Sequence, residues 1–284
     1  MNTRQWQPIG IFDSGVGGLT VLRAVHHLLP DEQLLYLADQ AHVPYGPRQM
    51  EEVRQFSESI TRFLLDQGSR LIVVACNAAS AASLKYLRTV FPQVPFVGME
   101  PAVKPAAEHT HSGVVGVLAT PATFQGELYA SVVERFGKGV KLLQNTCPGL
   151  VLQIESDAIH APETRRILEE ALLPMLAQGI DTVVLGCTHY PLVIPIIQQI
   201  VGPSVRVIDP SPAVARQVQR LLVASDLLEL DAVMEQPTIP RPQLMLQLYT
   251  TGKPAQLARL LPGMLGEIAP VDQLVWRAGK LVNA

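Results

Sequence analysis

Short apolar runs rich in β-branched residues alternate with longer amphipathic stretches along most of this chain. Such runs are typical of strands buried on both faces of a parallel sheet, and each crossover between parallel strands requires a connecting helix. The alternation therefore predicts an α/β fold with a doubly wound sheet, or with two of them. Strands are expected at 8–13, 33–38, 71–75, 96–98, 114–119, 140–143, 182–185, 205–208 and 244–249, and helices at 51–67, 79–91, 164–178 and 213–224.

A weak internal repeat indicates that the fold has two similar halves. The strand and turn at 9–14 resemble those at 115–120, and two cysteine-containing segments recur at nearly the same offset, 71–80 and 182–191. Nearly equal offsets favour duplication of one α/β unit, with a ligand site in the cleft between the copies. Towards the end of the chain, three prolines within 227–243 predict a connection before the last strand, and Thr250 to Pro254 begins a predicted terminal helix.

The composition restricts the class of protein. The 284 residues are 48% hydrophobic and 17% charged, which excludes a disordered chain. The net charge of −3 and the scattered basic residues argue against a nucleic-acid partner. There is no apolar run of the roughly 18 residues that cross a membrane, and the first eight residues lack the apolar core of a secretory signal. With only three cysteines, the sequence predicts a cytoplasmic protein without disulfides.

Cys76 and Cys187 each follow a predicted strand and precede a predicted helix start. Ligand sites of open α/β sheets lie at such strand ends, and a helix N-terminus stabilises a thiolate. An unperturbed thiol has a pKa of about 8.5, so it can act as an acid or a base near neutral pH. Two thiols that face one carbon from opposite sides could remove a proton on one face and return one on the other. The remaining cysteine, Cys147, is interpreted as a buried core residue.

Other cysteine chemistries fit the sequence less well. A cysteine phosphatase needs an arginine six positions after its nucleophile, where this chain has Ala82 and Val193. A zinc site needs closely spaced pairs of ligands, which only Cys187 and His189 approach. A cysteine hydrolase would leave the second matched thiol without a role.

Two polar loops follow the first two predicted strands. The glycine-rich loop 13–19 lacks the lysine and the glycine spacing of nucleotide-binding loops, so a carboxylate ligand suits it better. A tight turn capped by Asp13 or Ser14 is an equally good interpretation of this loop alone. The loop 39–47 is stiffened by two prolines and presents Tyr45 and Gly46, although an ordinary surface turn has the same pattern.

Four motifs together resemble the glutamate racemase family within the aspartate/glutamate racemase superfamily: 10–19 (GIFDSGVGGL), 43–46 (VPYG), Cys76-Asn77 and 186–192 (GCTHYPL). The resemblance runs from Gly10 to the end of the chain. It implies an enzyme that needs neither cofactor nor metal, interconverts L- and D-glutamate and supplies D-glutamate for peptidoglycan. It also implies two α/β domains, residues 1–98 with 210–284 and residues 99–209, with the active site in the cleft between them, and it makes a homodimer a candidate assembly.

The resemblance also implies roles for individual residues. Cys76 takes the α-proton from D-glutamate and Cys187 takes it from L-glutamate, while the other thiol returns a proton. Asp13 and His189 assist the two thiols, with Asp39 and Glu155 as further charged neighbours. The positions that match substrate contacts are Asp13, Ser14, Tyr45, Gly46, Asn77, Ala78, Thr120, Thr123, Thr188 and His189.

Two positions depart from the family pattern. Ala78 stands where the family usually has threonine, and Gly126 where serine is common. The loss of one hydroxyl donor costs about 1 to 3 kcal/mol in binding or transition-state stabilisation, and the backbone N–H of Ala78 remains. Two alternatives therefore stay open: a racemase for another amino acid, and a silent homologue that binds glutamate without turnover.

Overall fold

The computed structural model describes residues 7–225, 246–266 and 268–284, which contain two mainly parallel sheets. We refer to them as the large sheet, of seven strands, and the small sheet, of four. The strands of the large sheet are β1 (Ile9–Asp13), β2 (Leu34–Ala38), β3 (Leu71–Val74), β4 (Phe96–Gly98), β9 (Leu246–Thr250), β10 (Val271–Arg277) and β11 (Lys280–Asn283), and those of the small sheet are β5 (Val114–Ala119), β6 (Lys141–Asn145), β7 (Thr182–Gly186) and β8 (Arg206–Ile208).

Helices connect successive strands, as parallel pairing requires. All four predicted helices are present, as α2, α3, α8 and α10, with ends that differ from the predicted ones by at most two residues. The described helices are α1 (Leu19–Leu28), α2 (Met50–Asp66), α3 (Asn77–Val90), α4 (Val103–His109), α5 (Pro121–Gln125), α6 (Glu127–Phe136), α7 (Leu150–Glu155), α8 (Pro162–Leu176), α9 (Ile194–Val201), α10 (Ser211–Ala224) and α11 (Pro254–Leu265), with a 3₁₀ turn at Tyr190–Val193.

The two sheets share a strand order. The large sheet runs β11-β10-β9-β2-β1-β3-β4, and the small sheet runs β6-β5-β7-β8. The segment β2-β1-β3-β4 thus has the order of the whole small sheet, as the internal repeat predicts. The predicted fold class, two α/β units of similar topology, is confirmed. The chain leaves the large sheet after β4 and returns to it with β9, which is consistent with the expected domain boundaries; those boundaries stay a prediction.

The central strands were predictable because both of their faces are covered. Every residue of β1, β2 and β7 is buried, so these strands contain almost only apolar residues and stand out from the amphipathic helices around them.

The expectation of a terminal helix after Thr250 was wrong in part. The helix is present as α11, but a hairpin of β10 and β11 follows it, with β10 parallel to β9 and antiparallel to β11. Most residues of β10 are partly or fully exposed, so the strand has no continuous apolar run. Its turn has positive φ at Ala278 and Gly279 and lacks the Asn-Gly signal typical of such turns.

The predicted connection at 227–243 lies outside the described residues, and the strand expected from position 244 is described from Leu246 onwards. Among the helices that are described, none is long and apolar enough to cross a membrane.

Candidate active site

The carboxyl ends of the central strands of both sheets converge on one cavity. In the large sheet, Asp13 ends β1 and Cys76 follows β3; in the small sheet, Thr120 follows β5 and Cys187 follows β7. In each sheet these two strands are neighbours at the point where the strand order reverses, which is where open α/β sheets bind ligands. The repeat therefore supplies two such points, one to each side of the cleft.

The cavity is small, about 10 Å³, which is room for roughly one water molecule. Both thiols line it, together with most of the predicted site residues. The lining consists of Ser14, Pro44, Tyr45, Gly46, Cys76, Asn77, Ala78, Thr120, Val151, Cys187, Thr188 and His189.

The other four predicted residues stand behind this lining. Asp13, Asp39 and Glu155 are buried carboxylates that bond to residues of the lining, and Thr123 lies 3.1 Å from the Thr120 hydroxyl oxygen. Pro44 and Val151 line the cavity but were not predicted. Pro44 belongs to a motif that was identified, whereas Val151 lies at the start of α7, where the sequence carries no polar signal.

Cys76 is the N-cap residue of α3. Its Sγ accepts a hydrogen bond from the backbone N–H of Ala79 at 3.5 Å, and the thiol donates to Ser14 Oγ at 3.8 Å. Burial raises the pKa of Cys76 well above its usual value, and the Asp13 carboxylate adds to the rise. At this site the low polarity outweighs the stabilisation that a helix N-terminus gives a thiolate.

Asp13 links the glycine-rich loop to the opposite side of the cleft. Its Oδ2 accepts a hydrogen bond from the backbone N–H of Gly18 at 2.6 Å, and the hydroxyl of Thr188 lies 3.4 Å from both carboxylate oxygens. Burial raises the pKa of Asp13 above its usual value, although His189 and Cys76 act in the opposite direction. Two buried acids with raised pKa values, Asp13 and Cys76, thus lie side by side.

Cys187 has a different set of partners. Its Sγ lies 3.8 Å from His189 Nδ1, and His189 Nε2 lies 2.6 Å from Glu155 Oε1. Burial by itself would lower the pKa of His189, but the bonds to Cys187 and Glu155 outweigh it and raise that pKa well above the usual range. For Glu155 the direction is reversed: burial would raise its pKa. The bonds of its carboxylate to His189 and to the backbone N–H of Val16 outweigh burial and lower that pKa below its usual value. The three groups form a buried thiol, imidazole and carboxylate chain.

Asp39 holds the loop that carries Tyr45 and Gly46. The fully buried carboxylate accepts hydrogen bonds from the Tyr45 hydroxyl at 2.6 Å and the Trp276 indole at 2.8 Å, and His42 and Thr251 bond to it as well. Asp39 therefore does not line the cavity itself, but it holds Tyr45, which does.

Asn77 is the polar group of the cavity with the clearest capacity for a ligand. The side chain is buried, and neither its amide nitrogen nor its amide oxygen has a hydrogen-bond partner among the described residues. Ala78 lines the cavity beside it. An unpaired buried amide is costly, so its persistence indicates a partner that arrives with the ligand.

Cys147 lies in the hydrophobic core and is 2% exposed, which confirms its interpretation as a core residue. Burial raises the pKa of this thiol to about 12.

The profile of the Asp/Glu/hydantoin racemase family matches residues 17–218 of this chain. A glutamate racemase from Ectopseudomonas mendocina (strain ymp) is 47% identical over 271 residues, which cover 95% of this chain and 99% of the relative.

Two solved structures of glutamate racemases superpose on most of the chain. The enzyme from Escherichia coli, in complex with L-glutamate and the activator UDP-MurNAc-ala, is 29% identical, with a TM-score of 0.81 and coverage of 98% of this chain and 100% of that one. The enzyme from Francisella tularensis subsp. tularensis SCHU S4, in complex with D-glutamate, is 28% identical, with a TM-score of 0.77 and coverage of 94% and 97%.

Proposed function

The chain belongs to the Asp/Glu/hydantoin racemase family and is an amino-acid racemase, and on that premise we propose that it interconverts L- and D-glutamate by proton transfer between two cysteines. The observation that carries the proposal is the pair of thiols, Cys76 and Cys187, which line one small cavity from two sheets of matching topology. The relatives crystallised with L- and with D-glutamate support glutamate as the substrate.

The proton transfer balances with these two thiols. With L-glutamate bound, the Cys187 thiolate takes the α-proton, and the electron pair of the broken C–H bond stays on the substrate as a carbanion. The Cys76 thiol then gives its proton to the opposite face, which forms D-glutamate and leaves a thiolate on Cys76. The reverse reaction begins from that state. No group has to enter or leave besides the substrate, and in this proposal the protein's own donors stabilise the carbanion.

Each thiol has its own partner for the charge changes. Asp13 lies beside Cys76 and has a raised pKa, so it can accept the proton that Cys76 must lose to become a base. The imidazolium of His189, held by Glu155, stabilises a thiolate on Cys187 electrostatically. One side therefore acts through a carboxyl group and the other through an imidazolium.

Neutral donors would bind the substrate's two carboxylates. Neither lysine nor arginine is among the residues that line the cavity, so the donors are the hydroxyls of Ser14 and Thr188, the amide of Asn77 and the backbone N–H groups at the start of α3. Donors that are fixed in place also stabilise the charge that develops on the carbanion. The cavity is too small for glutamate as it stands, so we infer that the cleft opens to admit it.

Solvent exchange of the α-proton tests the proposal. Purified protein in D₂O should replace the α-proton of either glutamate enantiomer with deuterium, seen by NMR, and should racemise it, seen by circular dichroism. Cys76→Ala and Cys187→Ala should abolish racemisation, whereas Cys147→Ala should retain it. Full racemisation by either of the first two variants would contradict the two-cysteine mechanism.

The same protein tests the alternatives. A panel of amino acids separates glutamate from other substrates, and calorimetry that shows tight glutamate binding without proton exchange would identify a silent binding protein. Ala78 is the sequence feature that favours that second outcome. Rescue of a bacterial strain that requires D-glutamate would support the role in cytoplasmic peptidoglycan precursor synthesis, and light scattering would test the homodimer.

A further inference from the structure

The Glu155 carboxylate reaches across the cleft into the side of the molecule that carries the large sheet. It lies at the end of α7, next to the small sheet, yet its Oε1 accepts a hydrogen bond from the backbone N–H of Val16 at 2.7 Å. Its backbone carbonyl accepts a further bond from Gln256 of α11 at 2.5 Å. Glu155 therefore joins the two sides of the cleft as well as holding His189.

The glycine-rich loop is shaped to receive this pair. A Cβ atom on Gly15 would lie 1.8 Å from Glu155 Oε1, and one on Gly17 would lie 2.5 Å from His189 Nδ1. The loop was expected to take a carboxylate ligand, and the carboxylate found there belongs to Glu155. Only residues without a side chain let the pair approach this closely.

Gln40 completes the arrangement from the end of β2. Its amide nitrogen donates a hydrogen bond to Glu155 Oε2 at 3.1 Å, on the oxygen opposite the one that His189 contacts. Its amide oxygen accepts a bond at 2.8 Å from the hydroxyl of Thr250, a fully buried residue of β9. The large sheet thus holds the amide oxygen of Gln40, and the amide N–H group on the other side points at Glu155.

We propose that Gln40 is a positioning residue, which acts through Glu155 on His189 and so on proton transfer at Cys187. Gln40 holds Oε2 of the Glu155 carboxylate, and the backbone N–H of Val16 holds Oε1. Together they keep Oε1 in place for its contact with the His189 imidazole. Gln40 is not among the residues that line the cavity, so its contact with the site runs through Glu155. The kinetic part of this inference rests on the proposed racemase function.

Substrate isotope effects can separate positioning from mere stability. Gln40→Met removes the donor at similar volume and should lower kcat/KM by about tenfold. The variant should slow the proton transfer at Cys187 relative to the one at Cys76. Cys187 removes the deuteron of α-deuterated L-glutamate, so the primary isotope effect on kcat/KM should rise for that substrate. Cys76 removes the deuteron of α-deuterated D-glutamate, so the isotope effect should fall for that one. A smaller fraction of folded enzyme would change neither isotope effect.

Two matched variants control this test. Gln40→Lys keeps an N–H donor at Glu155 but adds a positive charge and gives the Thr250 hydroxyl no acceptor, so it should recover only part of the kcat/KM that Gln40→Met loses. Gln144→Met removes a glutamine whose amide donates to the Tyr129 hydroxyl at 2.9 Å, away from Glu155, and should leave both enantiomers' kinetics unchanged. If Gln40→Met folds poorly, Thr250→Val tests the same chain, because it removes the bond that orients the Gln40 amide.

A second readout does not depend on turnover. The imidazole ¹⁵N chemical shifts of His189, assigned by comparison with His189→Gln, should move in Gln40→Met and stay at wild-type values in Gln144→Met. Unchanged shifts together with unchanged isotope effects would overturn the proposal. A wild-type protein that fails to racemise, with His189 shifts that still move in Gln40→Met, would refute the proposed function and leave Gln40 as a positioning residue.

Discussion

Glu155 is a buried residue whose contacts affect the pH dependence of stability as well as the proposed chemistry. Its pKa is lowered in the folded protein, so its contribution to stability is present above about pH 4.5, its usual value, and is lost as the pH falls through the lowered folded value. The raised pKa of His189 has the opposite sign: its contribution is complete below about pH 6.5 and is lost as the pH rises through the raised folded value. The pair therefore stabilises most between these two limits.

Glu155→Gln tests this window. The variant should unfold with a free energy about 1 to 3 kcal/mol below that of the wild type between pH 5 and 6, because a charged hydrogen bond is lost from a buried imidazolium. Urea unfolding followed by circular dichroism from pH 3 to 7 measures the difference. It should shrink towards zero at the acid end, and a constant difference over the whole range would contradict the charged pair.

Gly15 tests the close approach of the Glu155 carboxylate. Gly15→Ala places a Cβ atom where Glu155 Oε1 now lies, so the carboxylate must move away from Val16 and His189. We expect a loss of about 1 to 3 kcal/mol in stability and at least a tenfold loss in kcat/KM. Gly263→Ala is the matched control, because a Cβ there meets no atom within 4 Å and alanine favours the helix α11.

At the level of elements, the paired strand-to-helix junctions could be predicted from sequence, whereas the residues that support them could not. Cys76 and Cys187 stand at the ends of strands that are buried on both faces, so local pattern alone located them. Gln40 and Val151 gave no such signal, because their positions depend on how α7 and β9 pack in three dimensions.

The β10–β11 hairpin extends this argument to an element that the sequence pattern missed. It supplies Trp276, whose indole donates to Asp39, and Asp39 in turn holds the Tyr45 hydroxyl. Trp276→Phe keeps the aromatic packing and removes the donor, so we expect stability to fall by about 1 kcal/mol and KM for glutamate to rise a few-fold. Thermal unfolding measures the change in stability, and steady-state kinetics measure the change in KM. An unchanged KM would show that the hairpin does not affect glutamate binding.

At the scale of the whole molecule, the shared strand order explains why the two cysteine sites are alike in position, although their neighbouring residues differ. In this shared order one cysteine follows β3 and the other follows β7. The strand order does not dictate their neighbours, which come from non-equivalent segments: Asp13 from β1 for the first, and Glu155 from α7 for the second. The proposed reaction has two stereochemically opposite faces, and in that proposal each face has its own set of acid–base groups.

The packing of the two halves against each other sets the width of the cleft, and Gly126 lies at that contact. A Cβ atom on Gly126 would lie 2.6 Å from the Cβ of Ala81 in α3, the helix that Cys76 caps. A Cβ atom cannot rotate away, so Gly126→Ala must shift α3 relative to α5 and α6. We expect kcat/KM to fall by about tenfold and stability by about 1 to 3 kcal/mol.

The double variant Gly126→Ala with Ala81→Gly decides between this contact and a local backbone effect. It moves the methyl group from position 81 in α3 to position 126, between α5 and α6, so it should recover most of the lost kcat/KM. Its stability should stay about 1 kcal/mol below that of the wild type, because a glycine inside α3 weakens the helix. Additive losses in the double variant would show that Gly126 acts through its own backbone. Recovery would show that the spacing of α3 from α5 and α6 holds Cys76 at its working distance from Cys187.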